Sequence, residues 1–158
     1  MTALAQNKVI ITPFPQGRFL EGTISGALTP GVCVEISAIT NGKFTFRAYQ
    51  PGSDGLRPLG GLPILIENLR GGDNATAYVT GEGCRVYFPL HGDVLIMILQ
   101  DVSGTADAHT FGELLIPDTG TGKLIATTGS PEIEPFTLCE TLTAPAADVL
   151  GHVIYTGY

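Results

Sequence analysis

Apolar and polar residues alternate with a period of two along much of the chain. Val32, Val34 and Ile36 interleave with Cys33, Glu35 and Ser37, and Phe44, Phe46 and Ala48 with Lys43, Thr45 and Arg47. Cys84, Val86 and Phe88 alternate with Arg85 and Tyr87 in the same way. Successive side chains of an extended strand point to opposite faces, so each run predicts a strand with one apolar face. Between the first two runs, Thr40-Asn41-Gly42-Lys43 carries the Asn-Gly pair of a two-residue hairpin turn. Further strands are expected at residues 8–12, 63–68, 76–80, 94–100, 113–116, 123–127, 136–141 and 149–155. Their starts recur about every ten residues, the rhythm of a sandwich or barrel. The run Val94-Leu95-Ile96-Met97-Ile98-Leu99 is apolar at every position. It predicts a strand covered on both faces, by a second sheet or by a neighbouring subunit.

Glycine and proline decide the fold class. There are 21 and 11 of them in 158 residues, and the longest body interval free of both is residues 93–103. That interval is barely one mean helix, so a helical bundle is excluded and an all-β fold is expected. Length allows one domain. Residues 1–20 hold Val9, Ile10, Ile11, Phe14 and Phe19 around Pro13 and Pro15, too few for a core of their own. They are expected to form an extended N-terminal arm on a body spanning residues 21–158, with those five apolar residues as its contact surface.

Composition narrows the function. Hydrophobic residues make up 44% of the chain and charged residues 15%, which belongs to a folded protein. The net charge is −7 and the basic residues are scattered singly, so no patch matches a run of phosphates and no nucleic acid is expected as a partner. The apolar runs are far shorter than a membrane span, and the first 20 residues lack the apolar centre of a signal peptide, so a cytosolic protein without membrane contact is expected. Cys33, Cys84 and Cys139 are odd in number and share no Cys-x-x-Cys spacing, which predicts buried thiols, no disulfide and no zinc.

Candidate chemistry is sparse. Asp118-Thr119-Gly120 is the tripeptide of aspartic proteases, whose paired carboxylates a homodimer could supply, with Val149-Leu150-Gly151 as the downstream turn. Pro117 interrupts the strand that should precede such a turn, and too little chain follows for the flaps and core, so a glycine-rich β-turn is the preferred reading. Thr119-Gly120-Thr121-Gly122-Lys123-Leu124 lacks the first glycine and the final hydroxyl of a phosphate loop. His91, His109 and His152 stand apart at no metal-ligand spacing. Asn74-Ala75-Thr76 matches a glycosylation acceptor but reads as a turn. No enzyme and no cofactor are expected.

The order of turns and strands resembles the small capsid decoration, or cement, proteins of tailed bacteriophages. The matching features are Leu28-Thr29-Pro30-Gly31-Val32, Ile64 to Asn68 followed by Gly72, Ala77-Tyr78-Val79-Thr80-Gly81 leading to Val86, and Leu90-His91-Gly92-Asp93-Val94. Gly112-Glu113-Leu114-Leu115 with Gly122-Lys123-Leu124, then Leu138 to Leu142 and Val149 to Tyr155, complete the series from Gly22 to Tyr158. The resemblance implies a β-tulip-like barrel or sandwich body that forms a homotrimer on the outer capsid surface of the virion, after assembly in the host cytoplasm. It implies the major capsid protein and neighbouring decoration trimers as partners, reached by the N-terminal arm, and no catalysis. A tail or fibre adaptor is the alternative with the same composition. A homodimeric aspartic protease using Asp118 is a more distant one.

Overall fold

The structure is a computed structural model that describes residues 9–10, 17–50, 62–67, 76–100, 109–127, 136–142 and 148–157. Five strands, β1 (Arg18–Ile24), β2 (Val34–Thr40), β3 (Lys43–Ala48), β4 (Ile64–Leu65) and β5 (Gly83–Phe88), form one sheet in the order β2-β3-β1-β5-β4. Five more, β6 (Val94–Leu99), β7 (Leu114–Pro117), β8 (Leu124–Ala126), β9 (Phe136–Leu138) and β10 (Val149–Tyr155), close a barrel in the order β10-β6-β8-β7-β9. The described residues contain no helix, and the fold is all-β, as the two-residue alternation requires.

The β2–β3 hairpin turns at Asn41 and Gly42, whose φ values are 51° and 75°, with Thr40 and Lys43 as the closing pair. Positive φ at both central positions matches the right-handed twist of the flanking strands, which is why Asn-Gly marks it in the sequence. A bulge at Ser37 shifts the register between Ile36 and Ala38, and the Ser37 hydroxyl donates to the Thr45 carbonyl at 3.1 Å. The bulge lies on the sheet's outer edge, where twisting the strand discourages edge-to-edge pairing. Nearer its start, the same side of the sheet curls round to β4. Leu65 N donates to Val32 O at 3.0 Å, Val34 N to Pro63 O at 2.9 Å and Gly31 N to Leu65 O at 2.8 Å.

The central strand β1 has no counterpart among the expected strands, and Arg18–Leu20, expected in the arm, are its first residues. It pairs with β5 from Arg18↔Phe88 to Thr23↔Gly83 and runs parallel to β3 from Gly22↔Phe44 to Ile24↔Phe46. Gly22 sits there because a Cβ would lie 2.4 Å from the Phe44 carbonyl oxygen and 2.7 Å from the Phe46 ring. Residues 76–80, expected as a strand, supply only the single bridge Leu28↔Tyr78.

Two cores form. Leu95, Met97 and Leu99 of β6 join Leu115, Leu124, Phe136, Leu138, Val153 and Tyr155 in the first, which also takes Val9, Cys33, Ile64 and Tyr87. Ile98, on the opposite face of β6, belongs to the second, with Ile24, Val34, Phe46, Tyr78, Val86 and Phe88. From Leu95 to Leu99 both faces of the run are therefore covered from within the chain, while Val94 at its start is half-buried. Of the two covers the sequence allowed, the second sheet and its flanking segments supply it.

The β7–β8 hairpin fastens the barrel to the sheet. Gly120 N donates to Tyr49 O and Cys33 N to Gly122 O, both at 2.7 Å. Gly122 has φ +70°, and a Cβ there would stand 2.0 Å from the Cys33 carbonyl oxygen. Gly26 has φ +99° with nothing within 4 Å of the added carbon. In denaturant melts, Gly26→Ala is expected to lose about 1 kcal/mol from backbone strain alone. Gly122→Ala adds a backbone collision and is expected to lose about 3 kcal/mol or more. Equal losses would show that the hairpin does not press on the sheet.

Candidate interaction surface

Of the five residues expected to form the contact surface, the three described ones, Val9, Ile10 and Phe19, do not form one surface. Val9 is fully buried in the barrel-side core, its amide donating to Glu67 Oε2 at 3.0 Å and its carbonyl accepting from Ile96 N at 2.7 Å. Ile10 packs against the same core and bridges Leu95. Ile11 and Phe14 lie outside the described residues. Phe19 is 41% exposed on β1. The structure thus brings Val9 and Ile10 together on the barrel and leaves Phe19 on a separate surface.

Phe19 packs against two side chains of β5. Its ring lies 4.9 Å from that of Tyr87, and the Arg85 guanidinium stands 5.7 Å from its centroid. Arg85 Nη2 in turn pairs with Glu21 Oε1 at 2.7 Å. Beneath this surface Tyr87 donates its hydroxyl to Asp93 Oδ2 at 2.5 Å and accepts from Gly17 N at 3.0 Å. Asp93 also accepts from Leu90 N at 2.9 Å, so one buried carboxylate joins the start of β1, the end of β5 and the turn into β6. Burial and the Asp93 hydrogen bond push the Tyr87 phenol up to about 12.

A second apolar surface, not among the expected contact residues, lies outside the barrel. Directly paired residues share a sheet face. Leu114 pairs with Thr137, Thr137 with Ile154, and Ile154 with Val94, making one uncharged row across β7, β9, β10 and β6. Ile116 and Ile125 pair beside it on β7 and β8. Leu114 is 41% exposed, and Phe111, in the turn leading into β7, is 72% exposed. The available signal was Leu114-Leu115-Ile116, apolar at both parities: Leu115 fills the barrel, so its neighbours must face out.

Polar groups at the rim of this row are paired. His109 Nδ1 lies 2.8 Å from Glu113 Oε2, and His152 Nδ1 lies 2.8 Å from Glu140 Oε1, which also accepts from His152 N. Phe111 N donates to Thr141 Oγ1 at 3.3 Å. Asp118 lies in the β7–β8 hairpin, where Oδ2 is 2.7 Å from the Thr121 hydroxyl and the backbone accepts from Gly122 N. Gly151, of the expected downstream turn, stands in mid-strand on β10 against Leu99, Leu138 and Leu142. Burial raises all three thiols, Cys84 to about 12, so they are protonated at neutral pH. Among the described residues no three His, Cys, Asp or Glu side chains gather closely enough to hold a metal ion.

No protein-family model matches the chain, and no curated protein sequence does. Among solved structures, the chain is similar to the crystal structure of head fiber gp8.5 N base in bacteriophage phi29. The match covers 89% of this chain and 95% of that one, with a TM-score of 0.53 and 8% identity. At that identity the likeness is one of fold.

The raised phenol and thiol make a signed prediction. A group that holds its proton more tightly when folded stabilises the chain below its unfolded pKa and loses that contribution as pH rises through its folded pKa. For Cys84 the loss begins near 9 and for Tyr87 near 10, both running to about 12. Stability is therefore expected to fall from pH 9 upward. Tyr87→Phe is expected to cost about 1–2 kcal/mol at pH 7, since Asp93 loses a donor, and to flatten the decline above pH 10. An unchanged alkaline slope in urea melts of the variant would refute this.

Proposed function

We propose that the chain is a structural protein of a bacteriophage virion, seated on the outer surface of the head as a decoration, or cement, protein. The observation that carries the reading is the fold likeness to a phage head fiber base over nearly the whole of both chains. The strand and turn order that resembles decoration proteins supports it independently. An acidic chain suits an exterior place away from packaged DNA. The role asks for no catalytic group and no cofactor.

In this reading the body meets the major capsid protein, and copies meet each other in a homotrimer and between neighbouring trimers. Phe111, Leu114 and the uncharged row behind them form one contact surface, and Phe19 with Arg85 forms another. Large apolar and aromatic side chains of this kind supply most of the energy at protein interfaces. A homotrimer lets several modest contacts act together, so a small contact per copy suffices. The second reading, a fibre base rather than a cement subunit, draws on what the similar structure is called.

Sedimentation with expanded empty capsids tests both readings. A cement protein is expected to bind at saturation in numbers that scale with the capsid lattice, to raise the capsid's melting temperature, and to run as a trimer in analytical ultracentrifugation. Phe111→Asp with Leu114→Asp is expected to weaken binding tenfold or more, about 1.4 kcal/mol. Saturation at only a few sites per head selects the fibre base. Failure of the 158-residue chain to bind any head overturns both.

A further inference from the structure

We propose that copies of this chain join head to tail, the outer face of the five-stranded sheet of one copy seated on the apolar row outside the barrel of the next, so that three copies close a ring. The inference deepens the homotrimer reading above and rests on it. A cyclic trimer repeats one joint, and that joint is made from two different patches of each copy, whereas a two-fold dimer presses one patch against itself. Two phenylalanines are exposed among the described residues, Phe19 on the sheet and Phe111 on the barrel, and the patches around them differ in charge.

Side chains two apart on a strand share a face, as do directly paired ones. Phe19 and Glu21 of β1 therefore stand on one face with Arg85 of β5, and the Thr23↔Thr45 pair carries that face onto β3, where Lys43 and Arg47 flank Thr45. Lys43 and Glu21 are exposed, while Glu35, the partner of Arg47, is buried. Three cations thus stand on this face with one exposed carboxylate. The barrel row has the opposite rim: Glu113 and Glu140 border Phe111 and Leu114, each carboxylate 2.8 Å from a histidine. Lys123, the one lysine or arginine after residue 89, is paired with Asp148. Counted over the sequence, residues 1–89, which supply the sheet, carry seven of the eight basic side chains and a net charge of +1. Residues 90–158, which supply the barrel, carry nine of the fifteen acids and a net charge of −8.

The occupant of the sheet face is a second copy because the complementary patch is on the same chain. Two barrel patches pressed together would set Glu113 and Glu140 against their own copies, and two sheet faces would set cation against cation, both unfavourable. Sheet against barrel brings Lys43 and Arg85 to the acidic rim and buries Phe19 with Phe111 and Leu114, so charge fixes the register and the aromatic rings supply the burial. The two patches are neighbours on the molecule. Tyr87, packed against Phe19, donates to Asp93, and Val94, next in the chain, pairs with Ile154 in the barrel row. Patches on opposite sides of a molecule propagate an open filament, whereas neighbouring ones turn each added copy about the last until the assembly closes.

The test is analytical ultracentrifugation of the whole chain and two variants, one with Phe19→Asp and Lys43→Glu on the sheet, the other with Phe111→Lys and Leu114→Lys on the barrel. Each variant alone is expected to associate about tenfold more weakly or worse, because its altered patch repels the intact one of the next copy. Mixed in equal amounts, the two are expected to associate with each other, since the first keeps a working barrel and the second a working sheet. All the altered side chains are exposed; should a double variant melt early, Lys43→Glu and Phe111→Lys alone are read in the same way. A variant that stays trimeric, or a mixture that stays monomeric, overturns the inference and leaves the homotrimer reading standing. An unaltered chain that runs as a monomer overturns both. Variants that remain trimers yet no longer sediment with empty capsids give these faces to the capsid protein and overturn the head-to-tail joint.

Discussion

Three amides along one edge of β6 and the residue after it are taken by three distant parts of the chain: Ile96 N by Val9 O, Ile98 N by Gly31 O, and Gln100 N by Leu124 O. Alternate amides of a strand point to the same edge, and here that edge lies against buried apolar side chains. An unpaired amide in such a place costs about 1–3 kcal/mol, so each must find a carbonyl. Meeting this requirement arranges the rest. Gly31 comes in at φ +90°, where a Cβ would lie 3.2 Å from Ile96 O, and the residues after it turn to pair with β4 and curl the sheet. Leu124 anchors β8, whose hairpin then reaches Cys33 and Tyr49. The relation between barrel and sheet follows from one strand's hydrogen-bonding demand.

Much of the fold was legible because its causes are local. The Asn41-Gly42 turn, the alternation through β2, β3 and β5, and the run of residues 149–155 each depend on neighbours in sequence. β1 was hidden because its decisive residue answers to a distant one. Gly22 reads as punctuation between strands, whereas it is small so that Phe44 and Phe46 can lie against mid-strand. Residues 76–80 are expected as a strand, but the Tyr78 hydroxyl donates to Ile66 O, and the residues around it make one bridge and a turn.

The interaction surface was less legible, for a related reason. Hydrophobicity states that a side chain needs cover without stating whose. Val9 and Phe19 were equal candidates in sequence, yet one is sealed inside the molecule and the other half-exposed over Tyr87. Val94–Leu99 and Leu114-Leu115-Ile116 carry the same two-sided signature. The first is covered within the chain from Leu95 to Leu99, and the second leaves Leu114 open beside Phe111.

The β6 seam also governs how the molecule is made. Its edge is complete only when residues near 9, 31 and 124 have converged, and its other edge waits for β10, the last strand in chain order. Contacts so remote in sequence require loop closure before they return any energy, which slows the crossing to the native state. Until β10 arrives, β6 has one bare edge and an apolar face on either side. That half-built strand is the species most exposed to mispairing during synthesis.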